Sequence, residues 1–553
     1  MAFEFNRRRF LEISGAAMMT GALSRQAASE QAPPPHSEDS PASAPAAEQR
    51  SSLAKRPNII LFQPDEMRAD SLACFGNPLT RTPNFDRVAA EGAKFTNCHV
   101  QYPVCGASRC SFLTGWPTSV RGHRSLYYFL RPEEPNLFRY LKDGGYDVYW
   151  YGKNDALAAE SFYSSVTEWS EVGKGGGSPF ASFGGRGAHG LMSGAPPKTD
   201  NFLFPPTGDR RQENDYRLVL SAIDILERKE TDKPFCIFLP LINPHPPYTC
   251  PADFYNMYSP ADVPAPIPAG LPRRPSFHAK IRERCGLKNV PEATFRKIKA
   301  VYYGQVSFQD WVLGQLLEAL YRTNHDKDTA VICFSDHGDY TGDYGLVEKW
   351  PSGLEDVLTH IPMIVRVPGG VQGVKSDDMI EAFDMMATCL DLADIQAKHT
   401  HFARSLLPQA SGKPGDPNRA AFCEGGYNVY EPQCYEPRGA IAGIYAPKTH
   451  LQNDEPQTVS RCAMARTEDA KLIVRPQGQN ELYVYKTDPR EENNLFGESR
   501  VAALQEELQT RLTHWYINTS GIAPFDKDSR SSPPYTPSRH PPEPGWQEAI
   551  LDK

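Results

Sequence analysis

Four short apolar runs along the chain predict buried strands, and each one is followed by charged or otherwise reactive side chains. The runs cover residues 58–62, 148–151, 235–239 and 330–334. Runs of this length that are apolar throughout are typical of strands buried inside an α/β protein. Because ligands of open α/β sheets bind outside the carboxyl ends of the strands, we expect the four ends to form a single site.

Helical patterns separate these runs. The spacing of apolar residues predicts helices over 82–92, 215–229, 291–323 and 382–392. Pro83 suits the first turn of the first of these helices, and Gly92 suits its end. Since apolar runs alternate with helices, the chain is predicted to form an α/β fold in which helices flank a parallel sheet.

The pattern changes after Gly369 and Gly370. Residues 399–460 are irregular and rich in proline, glycine and tyrosine, whereas 463–475 and 481–485 predict strands and 501–515 predicts a helix. We therefore expect a smaller α+β subdomain at the C-terminal end, followed by a proline-rich tail. The main α/β domain, the subdomain and the tail are predicted to span residues 56–398, 399–526 and 527–553.

Residues 173–194 are rich in glycine and show no periodicity. This composition predicts a flexible loop, either over the site or as a surface insertion.

The N-terminus predicts an export signal. Arginines at 7–9 precede a weakly apolar run over 13–23, which is typical of a twin-arginine signal peptide, here assigned to residues 1–28. The run is too short for a membrane-spanning helix, which needs ~20 residues. Residues 29–55 have the composition of a disordered linker. We therefore expect a periplasmic or secreted protein that uses the twin-arginine translocon and has no membrane span.

Charge and cysteine content exclude several classes of protein. The net charge of -8 is mild and both signs are spread along the chain, which argues against a nucleic-acid partner. The twelve cysteines include no CxxC pair and no dense framework, so neither a zinc ribbon nor a small disulfide scaffold fits. One or two disulfides remain open.

Two of the strand ends carry pairs of metal-ligating residue types. These are Asp65 with Glu66, and Asp336 with His337. Oxygen ligands of this kind suit calcium or magnesium. In isolation such a pair is more often a helix cap or a solvated turn.

Cys105 begins a predicted helix and is followed four residues later by Arg109. The thiol alone could be a redox cysteine, a metal ligand, a nucleophile or a core residue. A helix start favours anions, however, and Lys153, His245 and Lys349 would add positive or proton-donating groups.

The ordered motifs of the chain resemble those of type I sulfatases of the alkaline phosphatase superfamily, from residue 58 to about residue 495. Many separate motifs carry the resemblance, so a chance match is excluded. They lie at 57–61, 65–66, 72–77, 82–87, 91–97, 105–115, 244–248, 335–338, 482–483, 488–489 and 494–495. The resemblance implies a large mixed, mostly parallel sheet sandwiched by helices.

The resemblance also implies a role for Cys105. The family signature is Cys or Ser, any residue, Pro or Ala, any residue, and Arg, which Cys105, Ala107 and Arg109 match. In the family a maturation enzyme oxidises this cysteine to formylglycine. The hydrated aldehyde then attacks sulfur with one hydroxyl and releases sulfate through the other.

The same resemblance assigns the surrounding residues. The metal, calcium with magnesium as the alternative, would be held by Asp65, Glu66, residue 105, Asp336 and His337. Glu66 stands where relatives more often have a second Asp or Gln.

The catalytic groups follow in the same way. Arg109 would brace the diol, Lys153 and Lys349 would contact the sulfate, and His245 would protonate the leaving alcohol. Asp155 replaces the usual histidine after Lys153. We expect it either to orient Lys153 or to bind a sugar hydroxyl, rather than to serve as the base.

The resemblance therefore predicts a sulfatase acting on a sulfated carbohydrate or another sulfate ester. A phosphonate or phosphodiester hydrolase with the same site is one alternative. A sulfated-glycan-binding protein without activity, suggested by Asp155, is another. Candidate specificity residues near the Cys105 motif are Trp116, His123, Arg124, Tyr127 and Tyr128.

Overall fold

The computed structural model describes residues 56–171, 202–228, 233–436, 445–523 and 530. The predicted signal peptide, linker and glycine-rich loop lie outside these residues, as does the tail apart from Arg530. Among the described residues, no helix is both long and apolar enough to cross a membrane. All twelve cysteines are described, and all are free thiols.

A large sheet of eight strands carries the site. The strands are β1 (Asn58–Asp65), β2 (Ala93–His99), β3 (Asp147–Tyr151), β4 (Glu168–Ser170), β5 (Phe235–Pro244), β6 (Thr329–Phe334), β7 (His360–Arg366) and β8 (Val374–Glu381). Their order is β4-β3-β5-β1-β6-β7-β2-β8. Only β7 runs antiparallel to its neighbours in this sheet. The prediction of a mixed, mostly parallel sheet is therefore confirmed.

Helices cover both faces of this sheet. The α-helices of the described residues are α1 (Pro83–Glu91), α2 (Cys105–Thr114), α3 (Leu137–Asp143), α4 (Ser161–Ser165), α5 (Asn214–Arg228), α6 (Ala252–Tyr255), α7 (Ser276–Arg284), α8 (Glu292–Arg322), α9 (Asp356–Thr359), α10 (Asp384–Leu392), α11 (Leu407–Ala410), α12 (Ala446–Asp454) and α13 (Ala502–Thr519). The helices predicted over 82–92, 215–229, 291–323 and 382–392 correspond to α1, α5, α8 and α10.

The alternation of side chains in β1 explains why residues 59–62 are all apolar. Ile60 and Phe62 face a core that α1, α5 and α8 complete. Ile59 and Leu61 face the opposite core, which α2, α3 and α10 complete. Burying each of these side chains contributes roughly 1.5–3 kcal/mol. A strand segment that is covered on both faces therefore favours apolar side chains on both.

A second, antiparallel sheet forms in the C-terminal region. Its strands are β9 (Ala421–Gly425), β10 (Cys462–Arg466), β11 (Ala470–Val474) and β12 (Glu481–Val484), in the order β12-β11-β10-β9. The single strand predicted over 463–475 is two strands, because the chain turns back between β10 and β11. The prediction that 399–460 is irregular was wrong where β9 and α12 form.

Candidate active site

Four neighbouring strands deliver the site residues. In the order β3-β5-β1-β6, the chain leaves each strand at the same edge of the sheet. Lys153 Nζ, after β3, lies 2.7 Å from Asp65 Oδ2 at the end of β1. Glu66 donates its backbone N–H to Asp336 Oδ1, after β6, over 3.1 Å. The predicted strand ends therefore meet in one place.

Gly152 fixes the exit of the chain from β3. Its φ is 145°, and a Cβ at this position would lie 2.2 Å from the carbonyl oxygen of Pro240. Any larger residue would push β3 away from β5 and would displace Lys153, the next residue. The backbone N–H of Lys153 consequently reaches the same Pro240 oxygen at 2.9 Å, which directs the lysine side chain to Asp65.

Cys105 is the first residue of α2 and is almost completely buried, with 2% of its surface exposed. Its Sγ lies 3.2 Å from His337 Nε2 and 3.6 Å from both Asp65 Oδ1 and Lys153 Nζ. Burial, and after it the charge of Asp65, raises the pKa of the Cys105 thiol well above its ordinary value. The unmodified side chain is therefore a protonated thiol and a poor nucleophile.

Arg109 lies one helical turn after Cys105 and ties two acidic strand ends together. Its Nε donates to Asp336 Oδ2 at 2.9 Å, and its Nη2 donates to Asp65 Oδ2 at 3.0 Å. Although burial opposes ionisation of Asp336, Arg109 holds the pKa of that carboxyl below its ordinary value. The carboxylates of Asp65 and Asp336 are thus charged and held in fixed orientations.

Four of the predicted ligands bring donor atoms close enough to hold one metal ion. Atoms of Asp65, Glu66, Cys105 and His337 all lie within 4.8 Å of one another. His337 Nδ1 donates to the carbonyl oxygen of Gly338 at 2.8 Å, which leaves a lone pair on the Nε2 that faces this set. Glu66 Oε2 is buried and accepts no hydrogen bond from the described residues.

Asp336, the fifth predicted ligand, is not in this set. Its Oδ1 accepts the backbone N–H groups of Glu66 and His337, and its Oδ2 accepts from Arg109. The set contains two carboxylates, one ring nitrogen and one sulfur, and the two carboxylates supply the acidic oxygen ligands that fit a hard divalent cation such as calcium or magnesium.

Lys349 forms a second group beside this set. Its Nζ donates to Glu66 Oε1, lies 2.6 Å from Glu348 Oε1 and lies 3.1 Å from His245 Nε2. The Nδ1 of His245 is 2.5 Å from the carbonyl oxygen of Pro246 and must carry a proton. Burial, together with Lys349, lowers the pKa of His245 well below its ordinary value. The ring is therefore neutral and accepts from Lys349.

Asp155, in the position of the usual histidine, pairs with Lys153. The distance from Lys153 Nζ to Asp155 Oδ2 is 2.9 Å. Burial opposes the charge of Asp155, but Lys153 and Arg109 hold its pKa below the ordinary value. Of the two roles expected for this residue, the contact favours the orientation of Lys153.

Three neighbours of the site were missed by the sequence analysis. Glu348 and Lys448 form a chain of ion pairs with Lys349, and Tyr445 donates its hydroxyl to Pro246 at 3.3 Å. Lys448 and Tyr445 come from the stretch predicted to be irregular, in which no pattern marked them.

Three candidate specificity residues have structural partners instead. Trp116 is buried and donates its indole N–H to the Thr400 carbonyl at 2.7 Å. His123 contacts Tyr128 and Glu134. Arg124 donates to both carboxylate oxygens of Glu431. These contacts tie segments of the protein together and give no support to a role in substrate recognition.

Comparison with known proteins decides the family. The model of the sulfatase family matches residues 57–395, which contain every site residue predicted from the sequence. The chain belongs to the sulfatase family. An arylsulfatase of Clostridium perfringens is 26% identical over 374 residues, covering 62% of this chain and 75% of the relative. The N-acetylglucosamine-6-O-sulfatase of Bacteroides thetaiotaomicron is 24% identical over 545 residues, covering 86% and 89%.

The fold is shared with solved structures. A phosphonate monoester hydrolase of Agrobacterium radiobacter superposes with a TM-score of 0.69 at 21% identity, covering 84% of this chain and 96% of that one. Family and relatives together identify this sulfatase as a hydrolase of sulfuric esters.

Proposed function

We propose that this sulfatase is exported and removes sulfate from a sulfated carbohydrate, using a formylglycine made from Cys105 and a bound calcium ion. One observation carries the proposal: the Cys105 side chain lies within the acidic donor set and beside the Lys153 ammonium. The N-acetylglucosamine-6-O-sulfatase relative supports a carbohydrate substrate. The arginines at 7–9 support export.

The raised pKa of Cys105 supports modification rather than thiolate chemistry. Conversion to an aldehyde removes the sulfur and takes two electrons from the side chain, so it requires a maturation enzyme and a two-electron oxidant. When hydrated, the aldehyde would supply one hydroxyl to attack sulfur and a second whose deprotonation releases sulfate.

The cation would be held by Asp65, Glu66, His337 and residue 105. Asp336 would support this set by accepting the backbone N–H groups of Glu66 and His337. A bound calcium ion would supply positive charge that stabilises charge developing on the sulfate group. Arg109 keeps the carboxylates of Asp65 and Asp336 in place before substrate arrives. Such preorganisation removes the cost of rearranging these charges during the reaction.

The remaining side chains bind the ester and move its protons. The ammonium groups of Lys153 and Lys349 lie on two sides of the donor set and would bind sulfate oxygens. His245 and Lys349 hold a proton between Nε2 and Nζ, which are 3.1 Å apart. The departing alkoxide is a stronger base than either side chain and takes this proton.

The test uses protein produced together with a formylglycine-generating enzyme. We expect peptide mass spectrometry to find the aldehyde at residue 105 and 4-nitrophenyl sulfate to be hydrolysed. Cys105→Ala should abolish turnover, while Cys110→Ala, which removes a buried thiol one turn further along α2, should retain it. A panel of defined sulfated saccharides then identifies the sugar.

Two results would refute the proposal. Faster turnover of a matched phosphonate monoester than of the sulfate ester would favour the phosphonate hydrolase. Binding of sulfated saccharides without turnover, in protein carrying the aldehyde, would favour a glycan-binding protein. Export is tested separately, since replacing the arginines at 7–9 by lysine should retain the protein in the cytoplasm.

A further inference from the structure

Helix α12 places a buried lysine against residues 347–349 of the active site. This helix lies outside the part of the chain that the sulfatase family model matches. Lys448 lies in this helix, beyond residues 57–395, and is 4% exposed. Burying an ammonium group in this way costs free energy unless all of its hydrogen bonds are satisfied. The partners of Lys448 therefore indicate what the residue is for.

All three bonds of the Lys448 ammonium go to the segment that carries Lys349. Nζ donates to the carbonyl oxygens of Val347 at 3.0 Å and Lys349 at 2.8 Å. It also donates to Glu348 Oε2 at 2.5 Å. The second carboxylate oxygen of Glu348 lies 2.6 Å from Lys349 Nζ. Glu348 thus stands between two lysines and connects them.

The backbone of Glu348 adopts a conformation that needs such support. Its φ is 61°, in the left-handed region, which costs a residue other than glycine about 1–3 kcal/mol. Its N–H donates to the Tyr248 hydroxyl at 2.9 Å and its carbonyl accepts from Tyr340 at 3.1 Å. These bonds hold the backbone, while Lys448 holds the carboxylate and the flanking carbonyl groups.

We propose that Lys448, acting through Glu348, is the positioning residue that aims the Lys349 ammonium at the substrate sulfate. This inference rests on the proposed function, because that function assigns sulfate binding to Lys349. Without Lys448, Lys349 is the remaining ion-pair partner of the Glu348 carboxylate among the described residues, and the carboxylate draws it away from Glu66. The segment 347–349 also loses two hydrogen bonds to its backbone.

The variants separate positioning from stability. Lys448→Met keeps the length of the side chain and removes its charge, and Lys448→Arg restores a charged donor. Lys280→Met is the matched control, because Lys280 forms an exposed ion pair with Glu455 at the end of α12, 3.0 Å long. It loosens the same helix without touching the segment of Lys349.

In Lys448→Met we expect kcat/KM for 4-nitrophenyl sulfate to fall by about ten- to a hundredfold, the range for a lost hydrogen bond to a charged group. The inhibition constant of inorganic sulfate should rise with it, and Lys448→Arg should recover part of both. Lys280→Met should stay within about twofold of the wild type, as for most exposed ion pairs.

A double-mutant cycle with Lys349→Ala decides how Lys448 acts. If Lys448 works through Lys349, adding Lys448→Met to Lys349→Ala should cause little further loss. Additive losses would overturn the inference, as would normal kinetics in a folded Lys448→Met variant. Circular dichroism and the melting temperature establish that each variant is folded.

Isothermal titration calorimetry with inorganic sulfate tests whether Lys349 is positioned to bind sulfate, and it requires no turnover. A wild type that hydrolyses no sulfate ester would refute the proposed function, and sulfate binding would still decide the inference. Equal sulfate affinity in wild type and Lys448→Met would overturn it. Weaker binding in Lys448→Met, restored by Lys448→Arg, would support it.

Discussion

Lys153 lies between two carboxylates, with its Nζ 2.7 Å from Asp65 Oδ2 and 2.9 Å from Asp155 Oδ2. An ammonium group held on two sides has little freedom to rotate away. Asp65 ties it to the metal-ligand set, and Asp155 holds it through a second ion pair. We therefore propose that Asp155, which stands in place of the family's usual histidine, serves as an ion-pair partner of Lys153 rather than as a base.

Asp155→Asn tests this role. The variant removes the charge and keeps the shape, so we expect Lys153 to be less well ordered and kcat/KM to fall by about tenfold. Because the effect acts through Lys153, a small aryl sulfate and a sulfated saccharide should be affected equally. Steady-state kinetics with both substrates provide the measurement.

Two other outcomes would reassign Asp155. A higher KM for the saccharide alone would mean that the carboxylate binds a sugar hydroxyl. Covalently sulfated residue 105, detected by mass spectrometry during turnover, would make Asp155 the base that releases sulfate. Glu160→Gln, a substitution at an exposed acid after β3, is the control.

Metal removal should affect stability as well as activity. Chelation leaves Asp65, Glu66 and Asp336 as a buried acidic cluster without its cation. We therefore expect the melting temperature to fall on chelation and to recover with calcium, since a ligand that binds the folded state stabilises it. Differential scanning calorimetry over a calcium series measures the effect.

Glu66→Gln identifies the cluster as the site of that effect. The calcium-dependent shift in melting temperature should shrink in this variant, because one ligand loses its charge. Glu227→Gln, which alters an exposed ion pair with Arg322, should leave the shift unchanged. An identical calcium response in Glu66→Gln would place the cation elsewhere.

Asp343 should make the stability depend on pH. Its carboxylate accepts from Lys299 at 2.9 Å and Arg68 at 2.7 Å. Although burial opposes the charge, the two cations lower its pKa to about 2. Since the pKa in the folded state is below the unfolded value near ~3.9, the stabilisation is complete above that pH and is lost as the pH falls towards 2.

Asp343→Asn should therefore destabilise the protein by roughly 2–4 kcal/mol at neutral pH. The difference from the wild type should shrink below about pH 4, where the wild-type carboxyl becomes protonated too. Urea unfolding at pH 7, 5 and 3 tests this. Asp377→Asn, at an exposed pair with Lys375, is the control, and a difference that stays constant with pH would contradict the assignment.

Asp310 of helix α8 caps the start of helix α1. Its Oδ1 accepts the backbone N–H groups of Asn84 and Phe85, both at 2.9 Å, while Thr82 makes no side-chain cap. Asp310→Ala leaves both N–H groups without a partner and should cost about 2–3 kcal/mol. Asp310→Asn keeps an acceptor and should cost less. Equal unfolding midpoints for both variants would refute the cap.

The sequence predicted four strands of the large sheet, β1, β3, β5 and β6, because each contains an apolar run that is covered on both sides. It missed β7, although residues 361–365 of that strand are also buried and apolar. β2 and β8 were missed, since polar residues such as Lys94 and Asp377 interrupt their apolar pattern. A strand with one exposed side cannot be distinguished from a loop by its apolar residues alone.

The site residues also differ in whether a sequence pattern marked them. Asp65, Lys153, His245 and Asp336 could be grouped by the strand-end rule alone, because each follows an apolar run. Lys349 follows no strand, so the strand-end rule could not place it. Lys448 had no signal at all, because its role depends on how α12 packs against residues 347–349, and that contact is set by tertiary structure.

The central position of β1 has a consequence for how the protein is made. Asn58 contacts Phe235 and Thr329, which follow it by 177 and 271 positions. The first strand to be synthesised therefore has to wait for β6 before both of its edges are paired. Pairing across such distances is slow and leaves apolar surface exposed in the meantime. A chain truncated before β6 should aggregate rather than form a smaller working unit.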